Sequence, residues 1–78
     1  MTAPELAEAV RKRLAEDFPG VVVEHNEERF VVHLFAYVPR EDKVREGAII
    51  DMDIQGLAVP RAAEYLAAEL GPVLRTLQ

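Results

Sequence analysis

The residues best equipped for chemistry in this chain are His33, Asp51 and Asp53. An imidazole takes up and releases protons near neutral pH, and carboxylates can orient it or share a divalent metal with it. In extended backbone the Asp51-x-Asp53 spacing puts both carboxylates on one face, because side chains alternate with a period of two. A hairpin centred near Lys43 places His33 opposite Asp53 and Phe35 opposite Asp51. One imidazole and two carboxylates on one sheet face form a metal-binding or general-base set. They also form an ordinary cross-strand polar group, and Asp-x-Asp in a strand follows from the period alone. Three side chains on a flat sheet lack the concavity of ligand sites, so we expect neither catalysis nor a bound metal or other cofactor.

Other chemistry has less support. The chain contains no serine and no cysteine, and its two threonines, Thr2 and Thr76, sit near its ends. Nucleophilic catalysis therefore has no natural nucleophile, and Thr2 is better explained as a helix cap. The four glycines fall singly, so no glycine-rich phosphate loop exists. His25 beside Asn26 reads as surface decoration at a turn. Without cysteine there is no disulfide, which fits a reducing compartment. The net charge of −5 opposes direct nucleic-acid binding, which needs clustered lysine and arginine. No apolar run approaches the roughly 20 residues of a membrane span, and acids stand where a secretory signal carries bases. The expectation is a soluble cytoplasmic protein of one domain, near the lower size limit for independent folding.

The elements that must position His33 and the aspartates are read from periodicity. Thr2-Ala-Pro-Glu5 has the pattern of a capping box, and Leu6, Val10 and Leu14 recur at helical spacing. This predicts a helix from about Ala3 to Asp17, ended by Pro19-Gly20, with Arg11, Lys12 and Arg13 on a solvated face. Val21–His25 predicts a short strand and Asn26-Glu27-Glu28 a turn that would pair Glu24 with Arg29. Arg29–Val38 is almost uninterruptedly apolar, β-branched or aromatic, and predicts the central strand. Phe30, Val32, Leu34, Ala36 and Val38 share one face; Val31, His33, Phe35 and Tyr37 share the other. Pro39–Gly47 reads as a polar loop and Ala48–Ile54 as a third strand. Pro60 opens a second helix, which Gly71-Pro72 stops or kinks, leaving Val73, Leu74 and Leu77 as an amphipathic tail.

These elements give an α+β fold in the order α-β-β-β-α, with a three-stranded antiparallel meander sheet, two helices on one face and a partly apolar opposite face. The same order belongs to the double-stranded RNA-binding domain. That domain needs basic residues at the start of its last helix. Here the stretch Ala58–Glu64 offers Arg61 beside Glu64, so the similarity ends at topology.

What remains to be explained is the second face of the central strand. A sheet with one wet face does not need Val31, Phe35 and Tyr37 there. We therefore expect Val31, His33, Phe35, Tyr37, Asp51 and Asp53 to bind a partner, in a non-enzymatic module that homodimerises or docks on another protein. The alternative covering is the C-terminal tail, Val73–Leu77, folded under the sheet. Rival functions are an acidic decoy in a basic nucleic-acid-binding groove and a small structural subunit of a viral or other assembly. Neither reading calls for direct nucleic-acid binding or a membrane.

Overall fold

The computed structural model describes residues 2–28, 31–41, 46–53 and 58–77, with the side chains of Met52 and Asp53 left out of the description. Helix α1 spans Ala3–Ala15. Thr2 is extended (φ −114°, ψ 155°) and its hydroxyl accepts the Glu5 N–H at 3.4 Å, so one of the orphan donors of the first turn is satisfied. Pro4 lies in the first turn, where no N–H is missed. Leu6, Val10 and Leu14 are buried. On the wet side Arg11 pairs with Glu8 and Arg13 with Glu16, the solvated charge run expected of this face. The Arg11 guanidinium holds the Glu8 carboxyl below its ordinary range through that hydrogen bond.

The helix ends two residues before the expected Asp17. Leu14 O accepts from both Asp17 N (3.1 Å) and Phe18 N (2.8 Å), which tightens the last turn. Val21 N then donates to Phe18 O at 3.1 Å across Pro19-Gly20, with Gly20 at φ 86°. Proline second and a left-handed glycine third make a type II turn, which tucks Phe18 and Val21 into the core.

Strands β1 (Val22–Glu28), β2 (Val31–Tyr37) and β3 (Gly47–Asp53) form an antiparallel sheet in the order β1-β2-β3. The alternation along β2 is as predicted: Val32, Leu34 and Ala36 are buried, while Val31, His33, Phe35 and Tyr37 on the other face are half-buried. Two registers differ from expectation. The Asn26–Glu28 turn is strand, and β1 pairs with β2 from Val22↔Tyr37 to Glu28↔Val31. Glu24 thus sits opposite Phe35, while Arg29 and Phe30 lie outside the described residues. Pairing continues through these polar residues because β1 is an edge strand, where charged side chains face water and context outweighs propensity. In the second hairpin Gly47 joins the strand, so His33 lies opposite Asp51 and Phe35 opposite Ile49. That is two residues from the expected register, and a shift of two keeps every side chain on its face.

Helix α2 spans Val59–Leu77 and runs through Gly71-Pro72. A proline inside a helix costs about 3 kcal/mol. The offset is visible in the apolar stripe: Leu66, Leu70 and Leu74 recur every four residues and all are buried, so stopping at Gly71 would leave Leu74 outside the core. Thr76 also donates to the Pro72 carbonyl at 3.0 Å. Both helices pack on the same side of the sheet, where Leu6, Val10, Val32, Leu34, Leu66 and Leu70 are all but sealed from solvent. The C-terminal segment therefore belongs to the helix layer, not beneath the sheet. No helix among the described residues is long and apolar enough to cross a membrane.

This division of labour predicts opposite outcomes for two aliphatic truncations in adjacent strands. Leu34→Ala opens a cavity in the core and should lower unfolding free energy in urea by about 2–5 kcal/mol. Ile49→Ala, at a residue 72% exposed, should change it by about 0.5 kcal/mol or less. Equal losses would contradict the assignment of faces.

Candidate interaction face

The two registers build the outer sheet face as four rows crossing three strands. Val22, Tyr37 and Gly47 form the first, and Glu24, Phe35 and Ile49 the second. Asn26, His33 and Asp51 form the third, and Glu28, Val31 and Asp53 the fourth. The face is graded: apolar and aromatic toward the β2–β3 loop, acidic toward the β1–β2 connection. Because Ile49 rather than Asp51 stands opposite Phe35, the aromatic and aliphatic groups are contiguous.

Gly47 explains how the rings lie. A Cβ built on it would stand 2.3 Å from the Ala36 carbonyl oxygen, 2.8 Å from Phe35 Cζ and 2.9 Å from Tyr37 Cβ. The glycine leaves the space taken by the end of the Phe35 ring and by Tyr37 Cβ; the two ring centroids are 5.5 Å apart, with planes tilted by 37°. An aromatic covering a glycine on an edge strand shields backbone that the glycine leaves bare. The Tyr37 hydroxyl donates to Glu24 Oε1 at 3.4 Å, tying the ring to β1. Ile49 extends the same strip and is the most exposed of the large hydrophobic residues described.

At the acidic end, His33 Nδ1 and Asp51 Oδ1 are 2.5 Å apart, and His33 Nε2 is 3.9 Å from Glu28 Oε2. The short contact requires that Nδ1–H donate to the carboxylate. His33 thus bonds to β3 through its side chain and stands near the Glu28 carboxylate of β1. The pair has the base-and-orienter half of a catalytic dyad, but no hydroxyl or thiol nucleophile accompanies it. The Thr2 hydroxyl caps α1 and that of Thr76 bonds Pro72 O, both on helices. Among the described residues, no group of three or more His, Asp or Glu is placed to hold a metal ion. Asp53 is in the Val31 row by backbone register, and its side chain lies outside the description.

Of the residues singled out from sequence, Val31, His33, Phe35, Tyr37 and Asp51 share the predicted face. Asn26, Glu28 and Gly47 are the members that sequence reasoning misses. The sequence reads the first two as turn and the third as loop; the available signal is a glycine within strand reach of two aromatics. His25, expected at the turn, lies within β1 opposite Leu34 and is exposed.

Elsewhere, Tyr65 and Val73 are exposed singly on α2, as surface hydrophobics commonly are. A groove between α1 and α2 is lined by Arg13, Asp17, Glu64 and Arg75 around Ala67 and Ala68. Its two cations and two acids balance, and Arg13 is already paired with Glu16. The sheet face is the more distinctive surface. Comparison with protein-family models, curated proteins and solved structures finds no match for this chain.

Packing at Gly47 gives a direct test of this geometry. Gly47→Ala forces the Ala36 carbonyl, a backbone group, the Phe35 ring and Tyr37 Cβ to move, and should destabilise the fold by about 1–3 kcal/mol in chemical denaturation. An unchanged midpoint would show that the Phe35 ring does not lie over Gly47.

Proposed function

We propose that this protein is a small non-enzymatic interaction module that docks through the outer face of its sheet, on a second copy or on another protein. The observation that carries this reading is Ile49, 72% exposed in the middle of a strand and contiguous with the Phe35–Tyr37 pair. Folding does not require it, since the core is complete on the other face. Aromatic and aliphatic groups surrounded by polar ones match the anatomy of protein interfaces. A catalytic reading asks His33 and Asp51 to act on an open, flat surface without a nucleophile, and the docking reading needs no such addition.

The acid-rich face also supports a second reading, a decoy that fills a basic nucleic-acid-binding groove. Carboxylates at Glu24, Glu28 and Asp51 supply phosphate-like charge. Phe35, Tyr37 and Ile49 among them have no part in imitating a phosphate backbone, so the docking module explains more of the face.

A photoreactive phenylalanine analogue in place of Ile49 tests the proposal in the cells that make the protein. Illumination should yield one dominant adduct, either of twice the chain's mass or of the chain plus one other protein. Phe35→Glu in the same background should abolish it. Equal capture from the analogue at Glu64, on α2, or no capture from position 49, would overturn the proposal.

A further inference from the structure

The partner's chemistry can be read from the charge that the strands of the outer face carry. Strands 22–28, 31–37 and 47–53 contain no lysine and no arginine. Glu24, Glu28 and Asp51 project on the outer face beside the Val22–Tyr37 and Phe35–Ile49 strip. The basic residues nearest in sequence are Arg29, which follows Glu28, and Arg40, Lys43 and Arg45 in the loop after Tyr37; Glu27 and Glu28 precede the first, and Glu41, Asp42 and Glu46 balance the other three. Laid row on like row, a second copy would set carboxylates against carboxylates; turned end for end it would set them against its apolar strip, and in neither case do its strands bring a lysine or arginine to meet them. Like charges juxtaposed across an interface cost several kcal/mol.

Size points the same way. Seven residues at about 3.3 Å and three strands at about 4.8 Å span roughly 23 by 14 Å, a flat footprint of roughly 300 Å². The face suits one narrow element better than a whole globular surface.

We infer that the outer face takes a narrow cationic protein segment, a strand or helix carrying arginine or lysine beside a bulky apolar side chain. This rests on the docking reading and narrows it. The apolar anchor sits on Phe35, Tyr37 and Ile49, while the cations meet Glu24, Glu28 and Asp51. His33 lies between the last two and keeps Asp51 oriented through its short Nδ1 contact. Arginine suits such a face because its fork can bond a carboxylate while its plane stacks on an aromatic ring.

Two fluorescein-labelled ten-residue peptides test this, one alternating arginine with valine and phenylalanine, the other with glutamate for each arginine. Anisotropy titration of the intact protein should show binding of the cationic peptide alone. Affinity should fall at least about ten-fold from about 0.1 M to about 1 M salt, as the screening length shrinks from about 10 Å to about 3 Å. Glu28→Gln with Asp51→Asn should weaken binding about ten-fold, and Glu64→Gln with Glu69→Gln, the same change in net charge on α2, less than about two-fold. Equal losses from the two double variants, or equal binding of both peptides, would overturn the inference. So would failure of both peptides to bind, or a salt-insensitive homodimer by sedimentation that Phe35→Glu dissociates. In each of these cases, capture from position 49 shows separately whether the docking reading survives.

Discussion

The whole molecule depends on one constraint: strand β2 is hydrogen-bonded on both sides, so every residue in it is committed to a row and a face. Backbone pairing is directional, and a slip of one residue would drive Val31, His33, Phe35 and Tyr37 into the helices and expose Val32, Leu34 and Ala36. That penalty is steep because the inner set contacts Leu6, Val10, Leu66 and Leu70 in a core without a buried charge among the described residues. The helices therefore select the face, and the two hairpins select which outer residues become neighbours. The candidate interaction surface is a consequence of both choices, since no outer residue is needed to hold the helices.

Much of this was legible in the residues. The capping pattern at Thr2–Glu5, the four-residue spacing of Leu6, Val10 and Leu14, and the alternation of β2 each report a local preference that tertiary packing reinforces. Hairpin registers were not legible, for a physical reason. A turn made of Asn26-Glu27-Glu28 and a strand made of the same residues differ little in local propensity, and the decision falls to pairing along an exposed edge. The second register differs by two because Gly47, a breaker in isolation, is admitted to the strand beneath the Phe35 ring. Continuation of α2 through Gly71-Pro72 was equally non-local, since only Leu74's place in the core favours it.

For function, these misplacements matter more than their size. The expected register interleaved Asp51 with Phe35; the observed one separates an aromatic–aliphatic end from a carboxylate end and gives His33 to Asp51. A scattered polar face becomes a graded one, with a hydrophobic anchor site beside the carboxylates of Glu24, Glu28 and Asp51. The histidine that looked most like chemistry in the sequence serves instead to brace a carboxylate across strands. The shared face of Val31, His33, Phe35, Tyr37 and Asp51 survives the change because a two-residue shift preserves parity.

Because every inference about the outer face rests on the second hairpin, its register is the most direct point of attack. Nuclear Overhauser contacts between α-protons of the free protein in solution report it without reference to any partner. The account predicts cross-strand contacts that place Phe35 opposite Ile49 and His33 opposite Asp51. Contacts placing Phe35 opposite Asp51 and His33 opposite Asp53 would contradict it, breaking the apolar strip with a carboxylate and removing the surface on which the docking proposal stands.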